Sequence, residues 1–395
     1  MTSPITCPQL TNGIATTPTG ALRACCISAD SENRLLDLNQ KPYRVWHNWQ
    51  EALNSSKIKQ WRAEMKQGIW PTICKKCKTA EASRGWSRRL KMLKIAEQQN
   101  IALSEVKDDG SIEHAKFVFL DLRLGNLCNL QCQMCNGYSS SKWQMHHTEQ
   151  FQDSPKPKDS FWQWPNTHID WISELLKNSQ HIRELYFTGG EPLMNSSHWQ
   201  LLKTLSETPH ARNIHIKYNT NATLWQEEWL NIWIKFSQVL FQVSVDGVEE
   251  INNWIRWPSD WNQTQKWIEN LNHISNSNSK IKWSISGTIQ RSNAWSLDQF
   301  QNWYQTNYPH TPIHLEFVTV PSQLSLIAWN QKQREEWLKW CDSWANPQFQ
   351  AYIKEAETHF DNNPPCEDQT LEKKFQAYMN HWQTHTKLPL PKSVK

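Results

Sequence analysis

Alternating strand and helix patterns run through the middle of the chain, from about residue 115 to residue 322. Six segments rich in β-branched and aromatic residues predict strands at 117–124, 184–188, 214–219, 239–245, 281–288 and 314–320. Between them, apolar residues at helical spacing predict helices around 199–205, 223–236, 260–274 and 296–304. Strands that alternate with helices are typical of parallel βα units. The pattern predicts an α/β fold with a partial, TIM-like (β/α)6 barrel over residues 115–322.

Different patterns flank this region. Residues 323–395 predict a helical C-terminal extension that begins with an amphipathic helix over 330–344. In residues 1–100, Gly20 fits the turn of a hairpin between two short strands. The chain has 25 tryptophans, and Trp229 and Trp233, like Trp337 and Trp344, repeat at helical spacing. Such stripes predict aromatic faces that pack in the core.

Composition narrows the class of protein. The 395 residues carry a formal net charge of +4, which is too small to indicate nucleic-acid binding by itself. The polar N-terminus lacks the apolar segment of a signal peptide, and no apolar run approaches the roughly 20 residues of a membrane span. Ten cysteines, mostly in short-spaced groups, indicate metal ligands rather than disulfides. We expect a soluble, cytoplasmic protein.

Three cysteines follow directly after the first predicted strand of the barrel. Cys128, Cys132 and Cys135 have C-x3-C-x2-C spacing. Three thiolates in so short a loop can bind one corner of a four-iron cluster and leave one iron open to a small molecule. A structural zinc site is the alternative, but it needs a fourth ligand. His146 and His147 follow after a gap that suits a helix better than a metal ligand, so the ligand count favours the cluster.

This stretch resembles the signature of the radical S-adenosylmethionine (SAM) enzymes, in which an aromatic or apolar residue, here Met134, precedes the last cysteine. The resemblance implies a [4Fe–4S] cluster whose open iron binds the amino and carboxylate groups of SAM. It also implies that an electron from a reduced flavodoxin- or ferredoxin-type donor cleaves SAM to methionine and a 5′-deoxyadenosyl radical. That radical abstracts hydrogen from a substrate.

Polar motifs follow the second and third predicted strands. They lie at the C-terminal ends of these strands, where the functional residues of such barrels are found. Gly189, Gly190 and Glu191 resemble the GGE motif of these enzymes, and the resemblance implies that Glu191 holds the SAM amino group. Asn221 lies in a segment similar to their TNGT motif. Ala222 stands where glycine is common, which predicts a slightly more constrained turn.

The fourth predicted strand ends in a further motif. Ser244 and Asp246 lie in a segment that resembles S-x-D-G, and the resemblance implies contacts with the ribose and methionyl parts of SAM. Arg256 follows, and its planar guanidinium group suits the SAM carboxylate. A surface ion pair is the alternative for Arg256.

A second group of cysteines lies in residues 1–100: Cys7, Cys25, Cys26, Cys74 and Cys77. The predicted hairpin would bring Cys7 and Cys25 side by side. If residues 24–27 continue a strand, Cys25 and Cys26 point to opposite faces, and only one of them can face a given site. Cys7, Cys25, Cys74 and Cys77 then provide four ligands, which suit a closed zinc site or an iron–sulfur cluster.

The spacing C-x12-G-x4-C, followed by C-x2-C, looks like the auxiliary-cluster modules of radical SAM enzymes, named twitch and SPASM. Here the module precedes the barrel. The stretch 61–89 is similar to a set of these enzymes with an N-terminal twitch-like domain. The resemblance implies one auxiliary [4Fe–4S] cluster, with zinc as the physical competitor because both metals accept four thiolates.

The N-terminal region is also basic. Residues 57–94 contain twelve Lys or Arg residues and only two acidic ones, Glu64 and Glu81. Charge runs of this kind usually form a solvated helix face. Two alternatives stay open: cations that raise the reduction potential of a nearby anionic cluster, and a docking surface for an acidic peptide or a nucleic acid.

Together these features predict a radical SAM enzyme with an auxiliary iron–sulfur domain (1–100), a partial barrel (115–322) and a helical extension (323–395). The resemblance implies modification of a peptide or protein, or oxidation of a small carbinol or amine. One alternative is a nucleotide- or nucleic-acid-modifying enzyme that uses the basic stretch 57–94. The other is a non-catalytic zinc or iron–sulfur binding protein on a degenerate barrel.

Overall fold

The computed structural model describes residues 4–28, 33–145, 161–366 and 369–394. Its strands are β1 (Gly13–Thr16), β2 (Leu22–Arg23), β3 (Phe119–Arg123), β4 (Glu184–Thr188), β5 (His215–Thr220), β6 (Gln238–Ser244), β7 (Ile281–Ile289) and β8 (Ile313–Phe317). The helices before β4 are α1 (Pro8–Asn12), α2 (Trp49–Ala52), α3 (Ser56–Lys66), α4 (Lys75–Arg84), α5 (Arg88–Gln98), α6 (Ser141–Met145), α7 (Trp164–Thr167) and α8 (Asp170–Lys177).

The remaining helices follow β4. They are α9 (Ser196–Ser206), α10 (Glu228–Trp233), α11 (Glu249–Ile255), α12 (Trp261–Ser277), α13 (Leu297–Asn307), α14 (Gln331–Asp342), α15 (Pro347–Asp361) and α16 (Gln369–Thr386). Local chemistry fixes several helix starts. At α14, for example, Asn330 and Gln333 form a capping box that satisfies two backbone N–H groups.

The strands follow one another in one sheet in the order β2-β1-β3-β4-β5-β6-β7-β8. The pairs β1–β3, β3–β4, β4–β5 and β7–β8 are parallel, and β1–β2 is antiparallel. The six predicted barrel strands correspond to β3–β8. The mixed α/β fold is therefore confirmed, and the strand order is consistent with a partial barrel that the β1–β2 hairpin extends beyond β3.

Burial along the strands alternates with a period of two. In β6, Val239, Phe241 and Val243 are fully buried, whereas the residues between them are half-buried. Strands β5 and β7 repeat this alternation. Because successive side chains of a strand point to opposite faces, one face of these strands packs in the core and the other carries mostly polar side chains.

The chain divides into two compact units. The first contains Met1–Leu127, Asp159–Tyr218 and Gln226–Leu240, and the second contains Cys128–Lys158, Asn219–Trp225 and Phe241–Lys395. The domain boundaries expected at residues 100, 115 and 322 stay predictions.

Tryptophans pack within each unit. In the first, Trp199 stacks on Trp229 at 4.1 Å between ring centroids, and Trp233 is fully buried. In the second, Trp337 is fully buried, and so is Cys341 one turn later on α14. The stripe of Trp229 and Trp233 therefore faces the core, as does Trp337, whereas Trp344 follows the end of α14 and is half-buried.

The structure corrects two element boundaries. The helix expected over 223–236 is much shorter, because the chain first makes a tight turn in which Ala222 adopts a left-handed φ of 56°. The last strand ends at Phe317 rather than residue 320, and Pro321, which has no N–H to donate to a ladder, follows closely.

The N-terminal hairpin is confirmed, but its cysteines lie outside it. Gly20 has the left-handed φ of 78° that suits its turn. Cys7 precedes helix α1, so it does not pair with Cys25 across a ladder. Strand β2 ends at Arg23, and the strand geometry expected for residues 24–27 is wrong. The Arg23 guanidinium there donates to the carbonyl groups of Cys25 (2.8 Å) and Cys26 (2.7 Å) and holds a loop.

Within the described residues, no helix combines the length and the apolar character that a membrane crossing requires.

Candidate functional site

The three-cysteine loop opens the second unit, and hydrogen bonds fix its backbone. The N–H groups of Gln131 and Gln133 donate to the carbonyl groups of Trp257 (2.7 Å) and Ile255 (2.9 Å). The indole of Trp143 donates to the Cys132 carbonyl at 2.8 Å. These hydrogen bonds therefore hold the loop backbone in a defined conformation, although the loop contains neither helix nor strand.

The three cysteines of this loop differ in their exposure to solvent. Cys132 is buried, whereas Cys128 and Cys135 are partly exposed. A hydrogen bond with Cys135, together with burial, raises the pKa of Cys132 well above its ordinary value, while Arg256 acts in the opposite direction. Met134 packs against the apolar core cluster of this unit. A raised pKa is expected of a buried thiol that has a second thiol beside it and no metal to replace its proton.

The side chains of these three cysteines are not already arranged around a metal position in the described residues. Among the residues that the structure describes, no group of three or more His, Cys, Asp or Glu side chains is arranged to hold a metal ion. The case for a cluster rests instead on the residue types, their spacing and the ordered loop. His146 and His147 lie outside the described residues.

The turn after β5 is joined to the cysteine loop by side-chain amides. Asn221 Nδ2 donates to Asn129 Oδ1 (2.9 Å) and approaches the Cys128 sulfur at 3.8 Å. Asn129 Nδ2 in turn donates to Thr223 Oγ1 at 2.8 Å. Sequence reasoning found Asn221 but missed Asn129, because an asparagine inside a loop carries no periodic signal. The left-handed Ala222 in this turn agrees with the constraint expected there.

Asp246 and Arg256 form a buried ion pair. Asp246 is 1% exposed, and its Oδ2 lies 2.7 Å from Arg256 Nε. Its Oδ1 accepts hydrogen bonds from the N–H (2.7 Å) and the hydroxyl (2.9 Å) of Thr288. Arg256 Nη1 also approaches the Cys132 sulfur at 3.8 Å. Arg256 is therefore not the exposed surface ion pair that was the alternative for it, and Ser244 is half-buried at the end of β6.

Opposing effects act on the Arg256 guanidinium. Burial alone would lower its pKa, but Asp246 and the Cys132 and Cys135 thiols raise the pKa above the ordinary value. Arg256 is thus a permanent cation, 9% exposed, beside two of the three candidate cluster ligands. A fixed positive charge at this place favours thiolates over thiols.

In the first unit, the GGE turn packs tightly on the backbone that leads to the cysteine loop. A Cβ on Gly190 would lie 2.1 Å from the Leu127 carbonyl oxygen, and one on Gly189 would lie 2.6 Å from that of Gly125. The Glu191 N–H donates to the Leu127 carbonyl at 2.8 Å. Glycine is required here by close backbone approach, a packing reason that the sequence motif alone does not give.

The Glu191 side chain also has a local role. It is 2% exposed, and its Oε1 accepts a hydrogen bond from the Leu193 N–H at 3.1 Å, which caps a short 3-10 helix over Pro192–Met194. The carboxylate is therefore held in a fixed orientation by its own chain. A fixed, buried carboxylate suits an ammonium ligand.

The N-terminal cysteines are neighbours within the first unit. Burial raises the pKa of Cys7 to about 12, and Cys25 and Cys77 contribute to that rise. Burial also raises the pKa of Cys74, with contributions from Cys7, Cys25 and Cys77. Cys7 and Cys74 are thus each influenced by Cys25 and Cys77, as members of one site would be.

Cys25 and Cys26 have different surroundings. A hydrogen bond from Cys26 lowers the pKa of Cys25 to about 6. The pKa of the Cys26 thiol is raised first by its hydrogen bond with Cys25 and by burial, and then by Asp121, while Arg88 lowers it. Arg88 Nη2 lies 3.8 Å from Asp121 Oδ2. Cys25 thus contributes to the raised pKa values of Cys7 and Cys74, whereas Cys26 is influenced by Asp121 of strand β3.

A charged clamp holds the segments that carry these cysteines. Arg89 donates to both carboxylate oxygens of Glu81, at 2.9 and 2.5 Å, and the Ser87 hydroxyl donates to the same carboxylate at 2.6 Å. Arg89 Nη1 donates to the Thr6 carbonyl at 2.9 Å. The clamp therefore links the residue before Cys7 to helix α4, which carries Cys77.

Comparison with known proteins gives one family match. Residues 122–289 match the model of the Radical SAM superfamily. This superfamily uses a [4Fe–4S] cluster and SAM, and the match supports a radical SAM enzyme. No curated protein matches the chain.

Several solved structures show distant likeness. Native anSMEcpe with bound AdoMet and Cp18Cys peptide is 17% identical over 55% of this chain and 56% of that chain, with a TM-score of 0.37. Streptococcus suis SuiB is 14% identical over 82% of this chain and 67% of that chain, with a TM-score of 0.39. TYW1 with a lysine-pyruvate adduct bound is 15% identical over 55% of this chain and 70% of that chain, with a TM-score of 0.30.

The match to anSMEcpe spans little more than half the length of that protein. At these identities and TM-scores, the likenesses carry no argument about the substrate of this chain.

Proposed function

Since residues 122–289 match the model of the Radical SAM superfamily, we propose that the chain is an enzyme that cleaves SAM reductively and abstracts hydrogen from a substrate. Cys128, Cys132 and Cys135 would hold the [4Fe–4S] cluster. When bound, the cluster supplies the electron that converts SAM to methionine and a 5′-deoxyadenosyl radical. The observation that carries the proposal is the ordered C-x3-C-x2-C loop at the start of the matched domain.

The chain's own residues suit this role in distinct ways. Arg256 supplies a permanent positive charge beside the Cys132 sulfur, which favours the thiolate that a metal needs. Asn221 supplies an amide donor near the Cys128 sulfur. Hydrogen bonds to cluster sulfurs are one of the levers by which a protein sets a reduction potential.

The residues proposed to bind SAM are Gly189, Gly190, Glu191, Asn221, Ser244, Asp246 and Arg256, with Met134 beside the last cluster cysteine. Glu191 offers a buried carboxylate whose orientation is already fixed. Asp246 acts mainly through Arg256, since both of its oxygens are engaged by its own chain. We therefore propose that Asp246 positions Arg256, and that Arg256 meets the ligand.

We propose that Cys7, Cys25, Cys74 and Cys77 hold an auxiliary [4Fe–4S] cluster in a twitch-like N-terminal region. The support is the electrostatic influence of Cys25 and Cys77 on both Cys7 and Cys74, together with the Glu81–Arg89 clamp that links two of the segments carrying these cysteines. Four thiolates also suit zinc, so metal analysis decides between the two.

For the substrate, we propose a peptide or protein side chain, or a small carbinol or amine. The support is the proposed auxiliary cluster, which is useful where a substrate radical must lose an electron. A reduced flavodoxin- or ferredoxin-type protein is the proposed electron donor.

The test is anaerobic reconstitution followed by counting of iron, sulfide and zinc, and then incubation with SAM and dithionite. We expect about eight irons per chain, the content of two four-iron clusters, and formation of 5′-deoxyadenosine. Cys128→Ala should abolish that product. The matched control is Cys366→Ala, a partly exposed cysteine outside both groups.

Each other outcome has a definite meaning. About four irons with stoichiometric zinc and intact SAM cleavage would assign zinc to the N-terminal cysteines. A fully loaded, reduced chain that does not cleave SAM would overturn the enzymatic proposal and favour a binding protein.

A further inference from the structure

The C-terminal helix α16 packs against the cysteine loop within the second unit. Its buried residues Phe375, Tyr378, Met379 and Trp382 share one apolar cluster with Trp143, Trp254 and Ile255. Met134 and Cys135 of the loop pack on the same cluster. Residues more than 240 positions apart in sequence are thus joined in one core, which the cysteine motif does not predict.

Helix α16 also contacts the loop backbone. The Tyr378 hydroxyl donates to the Gln133 carbonyl at 3.1 Å. The His385 ring contacts the Gln131 side chain, with 3.0 Å between Nε2 and Oε1. Residues 131 and 133, on the two sides of Cys132, are therefore both held by this helix.

The Gln133 side chain is buried at the centre of these contacts. The polar groups that face this amide are hydrogen-bonded when the amide oxygen accepts from the indole N–H groups of Trp254 (3.0 Å) and Trp382 (2.9 Å). Its amide nitrogen then donates to the Ser292 hydroxyl at 2.6 Å. A buried amide with three hydrogen-bond partners on other segments restrains the backbone that bears it, because moving the amide would leave polar atoms unpaired.

Aromatic stacking extends the contact to Cys132. The rings of Tyr378 and Trp382 are nearly parallel, with centroids 6.0 Å apart, and Trp143 stacks on Trp382 at 5.7 Å. Trp143 donates to the Cys132 carbonyl. The carbonyl groups of two adjacent loop residues, Cys132 and Gln133, thus each accept a hydrogen bond from an aromatic side chain in this stack.

We propose that helix α16 is a clamp that holds the backbone of the cysteine loop in place, so that only the thiol side chains must move when a cluster binds, with Tyr378 and Trp382 as positioning residues. The inference rests on the proposed function, since it assumes that the loop binds a cluster. Ordering a loop before metal arrives lowers the entropy that binding must overcome. The clamp should therefore slow loss of the cluster rather than contribute a ligand.

The test compares Tyr378→Phe and Trp382→Phe with wild type after reconstitution. The readouts are the rate at which a chelator removes iron and the electron paramagnetic resonance signal of the reduced cluster. Only the part of that signal that changes on adding SAM is scored, because it reports this cluster and not an auxiliary one. Tyr378→Phe keeps the ring and removes one hydrogen bond, so about fivefold faster loss of the SAM-responsive signal is expected.

Trp382→Phe removes an indole donor and part of the stack, and a larger acceleration is expected. The matched control is Gln383→Ala, an exposed position on the same helix, which should lose its cluster at the wild-type rate. Circular dichroism of each variant checks that it is folded. If Trp382→Phe does not fold, Tyr378→Phe decides the question alone.

Different results would contradict the clamp proposal and the proposed function. If wild type binds iron and cleaves SAM, but both variants lose the SAM-responsive signal at the wild-type rate, the clamp is wrong and the function stands. If wild type shows no SAM-responsive cluster while Cys128→Ala keeps the wild-type iron content, the proposed function fails, and the clamp with it.

Discussion

Arg256 Nε lies 2.7 Å from Asp246 Oδ2, and both residues are almost entirely buried. The sequence assigned each of them separately to SAM. The structure shows that they act as a pair, in which the carboxylate fixes the guanidinium beside the Cys132 sulfur. Two buried charges in such contact depend on each other, since removing one leaves the other desolvated and unpaired.

Asp246→Asn should therefore destabilise the fold strongly. The substitution leaves the Arg256 cation buried without its partner, and a loss of about 3–5 kcal/mol in the free energy of unfolding is expected. Denaturant unfolding of the metal-free chain measures it. Glu250→Gln, which removes an exposed carboxylate on α11, should change stability by less than about 0.5 kcal/mol. Equal effects of the two substitutions would contradict the pairing.

Gly190→Ala should damage the GGE turn for steric reasons. Its Cβ would lie 2.1 Å from the Leu127 carbonyl oxygen, which is backbone and cannot rotate away. Overpacking of this kind costs about 1–3 kcal/mol or more, measured by chemical unfolding. Gly85→Ala is the comparison, because a Cβ there meets open space and only its left-handed φ of 64° is unfavourable. A Gly190→Ala chain no less stable than Gly85→Ala would contradict the close packing.

Cys25 and Cys26 should differ in metal binding, although they are adjacent. Cys25 contributes to the raised pKa values of Cys7 and Cys74, whereas Cys26 is influenced by Cys25, burial, Asp121 and Arg88. Cys25→Ser should lose the metal of the N-terminal site, and Cys26→Ser should keep it. Metal analysis of both purified variants decides this. The opposite result would assign Cys26 as the ligand.

His198 should make the fold less stable in mild acid. It is fully buried on α9, its Nε2 lies 2.8 Å from the Tyr218 hydroxyl, and burial lowers its pKa to about 3. In the unfolded chain the pKa is about 6.5, so the unfolded state binds a proton below that pH while the folded state does not. Stability is therefore highest above pH 6.5, and it falls by about 1.4 kcal/mol for each pH unit between 6.5 and 3.

Unfolding midpoints of wild type and His198→Gln, measured between pH 4.5 and 7.5, test this. The variant should be less stable at pH 7.5, but it should lose the part of the pH slope that His198 causes. His310→Gln, at an exposed histidine, should keep the wild-type slope. A His198→Gln chain with the same slope as wild type would show that His198 is not the group responsible.

Local patterns were enough for much of the fold. Strand 184–188 has the predicted ends, and β3, β5, β6 and β7 lie within two residues of prediction. Segments rich in β-branched and aromatic residues, and the helical stripes between them, predicted these elements, because both patterns depend on neighbours in sequence. The helix expected over 223–236 failed because the turn at Ala222 follows from contacts with the cysteine loop, which no local period encodes.

The sequence by itself determined the α/β fold, the strand ends that carry polar motifs and the three-cysteine loop, because each depends on residue type and spacing. Only the tertiary structure decided how these residues are held: Arg256 paired with Asp246, Gln133 enclosed by Trp254 and Trp382, and Cys132 beside Arg256. These contacts join positions far apart in the chain. Burial and the pairing of polar groups select them, and those quantities exist only once the chain has folded.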